Sequence, residues 1–135
     1  MTFSQEMRRA GRVPTSLLLT RVIRPSTTSE AVNLGIPAHQ PVVHLHRLRQ
    51  ADGEPIALES TVLIAACADA VMSADLEAGS LHETLGRAGI VLHRGTGTIS
   101  AAAATAEDAR LLAVRTGDPL LVERRVIVDM HGRRV

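Results

Sequence analysis

The chain has 135 residues, of which 45% are hydrophobic and only 1% aromatic: Phe3 stands alone, with no Trp and no Tyr. That length is one ordinary domain with a core of Val, Leu, Ile and Ala, and the lack of ring faces excludes an aromatic platform for single-stranded nucleic acid. Basic and acidic residues number 15 and 14, every basic one is Arg, and the net charge of +1 excludes a self-sufficient DNA-binding face as well as Schiff-base and P-loop lysine chemistry.

The run Thr2 to Gly11 reads as a short helix, with Thr2 as cap, Gln5 three residues on and Gly11 as closure. Ser16 to Ile23 is a strand pattern. Thr27 with Glu30 makes a capping box for a helix ending near Gly35, and Pro37 and Pro41 keep the next connection irregular. Val42 to Gln50 and Pro55 to Ile64 are strand patterns around Asp52-Gly53, the clearest hairpin signal in the chain.

Ala-rich sequence of mixed type follows, part of it helical. It contains Cys67, the only cysteine, which reads as a small reduced core residue and can make no internal disulfide. Ser80 with Glu83 forms another capping box, for a helix that Gly89 ends. Val91 to Ala101 is a strand with Gly95 and Gly97 as weak points or bulges. Thr105 opens a helix through Val114, Leu120 to Met130 is a strong strand, and His131-Gly132 turns the chain into a further strand at Arg133-Arg134-Val135. Hairpin strands interrupted by short helices predict an α+β domain, a mainly antiparallel β-sheet with short helices packed on it. No apolar run approaches membrane-spanning length and the start is not a signal peptide, so a soluble cytoplasmic protein is the expectation.

Residues two apart on a strand share a face, so Arg47 and Arg49 point the same way, along with Val43 and Leu45. Two guanidinium groups side by side either receive an anion between them, which Arg does in bidentate fashion, or line a solvated strand edge. The parity of the turn decides what faces them. A two-residue turn at Asp52-Gly53 puts Arg47 and Arg49 with Ile56 and Leu58; a three-residue loop puts them with Ala57 and Glu59.

Ser80 caps its helix, and Ser4 lies near the start of the first one; each helix start also offers free N–H groups to an anion. His44 and His46 share a strand face, but no three-ligand pattern joins them and no metal is expected. Gly95-Thr96-Gly97-Thr98 lacks the spacing of a nucleotide loop. Arg124-Arg125 and Arg133-Arg134 read as solvated or paired with Glu123 and Asp129.

The order of these motifs resembles the UTRA domain, the effector-binding half of HutC-type regulators in the GntR superfamily. The resemblance rests on Thr2-Phe3-Ser4-Gln5-Glu6-Met7 with Gly11, His46 to Ala57, Asp75-Leu76, Gly79-Ser80-Leu81, Ala101 to Ala109, Leu111-Leu112, Gly117 to Leu121 and Arg125. It implies a chorismate-lyase-like fold and a small anionic metabolite, a sugar phosphate or a carboxylate, as effector. It also implies a homodimer and no cofactor, with DNA bound only through a winged helix-turn-helix domain that these residues do not include.

The family's ligand positions match Arg47, Arg49 and Glu59, which favours the three-residue loop; Ser4, Ser80 and His82 match further pocket positions. Two departures stand out. Arg134 replaces the family's Pro and Val128 its common aromatic, and the family's last strand lies outside residues 1–135, so a UTRA domain incomplete at its C-terminus is expected. The alternative implied by the same likeness is a chorismate-lyase-like enzyme, with the Arg pair on carboxylates and Glu59 as acid.

Overall fold

A computed structural model describes residues 3–135, so Thr2, the expected first cap, lies outside the described residues. In chain order the elements are α1 (Phe3–Arg9), β1 (Pro14–Pro25), α2 (Thr28–Leu34), β2 (Pro41–Ala51), β3 (Glu54–Ile64), α3 (Ala68–Met72), α4 (Leu81–Arg87), β4 (Leu92–Ala103), α5 (Ala106–Leu112) and β5 (Pro119–Asp129). A single turn of 3-10 helix, Ala65–Cys67, leads into α3. β1, β2 and β3 form an antiparallel sheet with β2 in the middle, and β4 and β5 form a separate antiparallel ribbon. This is the α+β arrangement the sequence predicts. Among the described residues no helix is long and apolar enough to cross a membrane.

The caps follow the side chains that the chain places at each helix end. Thr27 and Glu30 close both halves of a capping box on α2, and Gly35 ends that helix with φ of 67°. Arg24 grips Glu30 through two hydrogen bonds of 2.7 and 2.8 Å and so holds its carboxyl down to about 2. Ser80 accepts the Glu83 N–H and Thr105 the Asp108 N–H, at 3.4 and 3.2 Å. Arg134 donates to the carbonyls of Val32 and Asn33, where α2 leaves acceptors free.

The β2–β3 hairpin corrects one expectation. Ala51 pairs with Glu54, so the turn holds two residues, and Asp52 and Gly53 both take positive φ (51° and 78°), a type I′ turn rather than the three-residue loop. Further along, Gln50 pairs with Pro55 but Arg49 with Ala57, which leaves Ile56 as an extra residue in a β-bulge. The bulge, and not the loop, switches the parity. Pro55 is tolerated there because a bulge relaxes the demand for a ladder N–H. Arg12 clamps the turn from the α1–β1 junction, donating to Asp52 (3.2 Å), Glu54 (2.9 Å) and the Ala51 carbonyl (2.9 Å).

The ribbon corrects a second one. Gly95 and Gly97 pair normally with Ile127 and Arg125; the irregular residue is His93, between the Leu92–Asp129 and Arg94–Val128 pairs. Gly97 is dictated by a close backbone approach: a Cβ there would stand 1.8 Å from the Arg124 carbonyl oxygen. Outer ribbon residues carry exposed apolar side chains, Ile99 (69% exposed) and Leu121 (77%) among them. Val135 ties the ribbon to the three-stranded sheet. Its N–H donates to the Ile127 carbonyl and its carbonyl accepts the Ile64 N–H.

On β2, Val43 and Leu45 enter a core cluster with Leu63 of β3, Cys67, Val71 of α3, and Leu81 and Leu85 of α4; Val135 joins it. Burial pushes the Cys67 thiol above its usual range, against a smaller opposing pull from Arg133. The same face of β2 continues past Leu45 into Arg47 and Arg49, so the apolar core gives way to two cations within two residues.

Candidate functional site

Being on the central strand, Arg47 and Arg49 are flanked by backbone on both sides; they are 1% and 7% exposed. Removing a guanidinium from water costs several kcal/mol unless charge and hydrogen bonds replace the lost hydration. Glu59, brought opposite Arg47 by the bulge, supplies part of that. Arg47 Nη2 donates to Glu59 Oε1 at 2.5 Å, Arg49 Nη1 to Oε2 at 3.3 Å, and Thr61 Oγ1 to Oε1 at 3.3 Å. The account does not balance, because one carboxylate serves two cations. Arg47 Nε, Arg47 Nη1 and Arg49 Nε are buried and have no acceptor among the described residues.

The electrostatics follow from this crowding. Burial works against an ionised Glu59, but the Arg47 and Arg49 charges more than offset it and hold the carboxyl below its ordinary range. Burial, then the neighbouring Arg47 charge, lower the pKa of Arg49, with Glu59 only partly restoring it. Two buried, partly unsatisfied guanidiniums are the donor set for the oxygens of a phosphate or carboxylate.

The remaining expected residues gather around the same place. Arg49 Nη2 reaches Ser4 Oγ at 3.4 Å, and the guanidinium stacks over the Phe3 ring, 4.5 Å from its centroid. α1 thus begins directly against the Arg49 guanidinium. An open cavity of about 970 Å³ is bordered by Arg47, Arg49 and Glu59, by Ser4, and by Ser80 and His82 of α4. Ser80 is engaged as the α4 cap. Burial lowers the pKa of His82, and the charge of Arg125 adds to the effect. All six expected site residues therefore border one hollow, four from α1, β2 and β3 and two, Ser80 and His82, from the start of α4.

Two neighbours escaped the sequence reading. Phe3 figures in the sequence as the lone aromatic and as part of the opening run of the family resemblance, and nothing in the pattern near it points to β2. Arg125 reads as a surface charge until the ribbon is seen to form a cavity wall. His44 and His46 stack with centroids 6.5 Å apart, and His44 Nε2 lies 2.9 Å from Ser60 Oγ, on the other face of the sheet. No group of three or more potential metal ligands occurs among the described residues.

Comparisons with known proteins bear on the family and the fold. Residues 9–135 match the UTRA domain. The chain is 35% identical over 126 residues to the Escherichia coli (strain K12) protein described as "Probable transcriptional regulator PhnF", covering 90% of this chain and 51% of that one. It is 26% identical over 132 residues to "HTH-type transcriptional repressor NagR" of Bacillus subtilis (strain 168), covering 97% and 54%. The chain thus spans about half the length of these curated relatives. Its fold superposes on the effector domain of PhnF from Mycobacterium smegmatis with a TM-score of 0.91 at 24% identity, covering 99% of this chain and 83% of that one.

Proposed function

This chain belongs to the UTRA domain family of GntR-superfamily transcription regulators, and from that premise we propose that it binds a small anionic metabolite and so alters how its regulator holds operator DNA. The effector is a sugar phosphate or a carboxylate. Arg47 and Arg49 take its anionic group, Ser4 and Ser80 add hydrogen bonds, Glu59 accepts from a hydroxyl or amine on the ligand, and His82 lines the same cavity. Binding without turnover is the whole task, and DNA is held by a separate winged-helix domain.

The observation that carries this reading is the pair of buried guanidiniums, three of whose nitrogens find no acceptor among the described residues, beside a large cavity. Such groups cost stability in the empty state and recover it when an anion supplies the acceptors. Glu59 keeps the empty site folded as an internal counter-ion. A ligand that completes the set biases whichever arrangement of the regulator presents it, which is all that effector control requires. A role on operator DNA implies a cytoplasmic protein.

The family resemblance further suggests a homodimer. Support comes from the ribbon: two strands alone are marginal in water, and Ile99 and Leu121 present apolar surface suited to a second copy. Sedimentation of the purified chain at micromolar concentration tests this, and a monomer throughout would remove it.

The effector reading is tested by thermal denaturation with inorganic phosphate, hexose phosphates and small carboxylates. Some of these anions are expected to raise Tm in proportion to the logarithm of concentration. The Arg47→Ala, Arg49→Ala double variant is expected to lose the response. An equal response in that variant, or none in the wild type, overturns the assignment.

A further inference from the structure

We infer that the effector carries a second anionic group and that Arg125, on the ribbon wall of the same cavity, receives it. This rests on the effector reading above and extends it from one charged end of the ligand to both. Directly paired residues of the β4–β5 ribbon share a face, so Gly97 and Arg125 lie side by side, with Gly95 and Ile127 as the next pair on that face. The two glycines leave a trough on the strand opposite Arg125. Its stem lies along that trough, with Cδ 3.8 Å from where a Cβ on Gly95 would stand. Gly97 cannot be anything larger, because its partner strand is too close. The trough is therefore built into the ribbon, and the cavity it borders is the one that holds Arg47, Arg49 and Glu59.

The two cationic ends differ in kind. Arg47 and Arg49 are buried and fixed by Glu59. Arg125 is more than half exposed, and its ion pair is with Glu123, two residues back on the same strand at 3.3 Å, itself 54% exposed. A pair so open to water is worth little and yields easily to a ligand. His82 borders the same cavity, its imidazole subject to the charges of Arg125, Glu59 and Arg47 together. A neutral polyol tail would leave Arg125 on Glu123. A carboxylate or second phosphate would draw it across as a bidentate clamp.

The test uses two matched pairs of probes at fixed ionic strength: glycerol phosphate against phosphoglycerate, and sorbitol phosphate against phosphogluconate. Within each pair only the second compound has a carboxylate opposite the phosphate. By calorimetry the wild type is expected to prefer the carboxylate-bearing partner by about tenfold in at least one pair, the usual size of one charge-assisted contact. Arg125→Ala should reduce that preference to within about twofold, chiefly by weakening the carboxylate-bearing partner rather than the one whose only anionic group is its phosphate. Arg125→Lys should keep part of it. Arg115→Ala, which removes the same charge from the α5–β5 connection, should keep all of it. No preference in either pair, no binding by any probe, or equal weakening of both partners in Arg125→Ala overturns the second subsite. Arg47→Ala separates the two claims. If it abolishes binding while Arg125→Ala changes nothing, the first anion site stands and the second falls; if Arg47→Ala binds as wild type does, the effector reading itself falls.

Discussion

Arg47 stands directly opposite Glu59 across the β2–β3 ladder, although the turn joining the strands contains an even number of residues. One unpaired residue, Ile56, shifts every later position of β3 to the other face. Without it the two cations would meet Leu58 and Ile56, and no internal carboxylate would neutralise them. The bulge thus creates the charge constellation, and the turn merely starts the strand.

A site that withholds acceptors from buried donors is held at the expense of stability. Arg47→Met keeps the volume and removes both the charge and the orphaned N–H groups. In the absence of anions its unfolding free energy is expected to be unchanged or higher by up to about 2 kcal/mol. The Tm increase produced by anions should vanish in the same variant. A marked loss of stability in denaturant titration would show that Arg47 is a structural strut.

Much of this was legible in the sequence, and the exceptions have physical causes. Thr27, Glu30 and Gly35 announce α2 because capping is local chemistry. Asp52-Gly53 announces its turn because both positions need positive φ. The bulge at Ile56 is not legible, since nothing in Glu-Pro-Ile-Ala says which residue goes unpaired; the family likeness implies the correct face, but through a three-residue loop that the chain does not form. The ribbon glycines looked like bulges because glycine marks both bulges and close backbone approaches, and only the pairing distinguishes them. Phe3 meeting Arg49 is a contact across 46 positions of sequence, beyond the reach of any periodicity.

Glu30 supplies a pH-dependent term. Its folded pKa, about 2, lies below the ordinary carboxylate value, so the stabilisation is present above that ordinary value and disappears as pH falls through the folded one. Glu30→Gln is expected to cost about 1 kcal/mol at neutral pH, allowing for partial exposure of the pair. The gap between variant and wild type should close between about pH 4.5 and pH 2. A gap that persists at the acid end would mean that the ion pair with Arg24 is not its source.

The two ribbon glycines should respond differently to the same change. Gly97→Ala drives a Cβ into the Arg124 carbonyl and is expected to cost more than about 2 kcal/mol. Gly95→Ala is tight only against the Ile127 side chain at 3.3 Å, meets the Val126 carbonyl and the Arg125 stem at ordinary contact distances of 3.6 and 3.8 Å, and gains strand propensity, so it should lie within about 1 kcal/mol of wild type. Paired thermal melts decide the matter, and equal losses would contradict the close approach.

Val135 is the stitch between the sheet and the ribbon. Val135→Ala keeps both backbone hydrogen bonds but empties a core position, for an expected loss of about 2 kcal/mol. Hydrogen exchange should quicken along β4 and β5 more than along β2. Uniform quickening would mean that the ribbon does not open independently.

The stacking of Phe3 on Arg49 has a practical corollary. Because the chain holds neither tryptophan nor tyrosine, it is nearly dark in the near ultraviolet. A single indole introduced by Phe3→Trp would emit against no background, from a ring already resting on a cation of the proposed effector site. Its colour and brightness would report occupancy in real time, without labels.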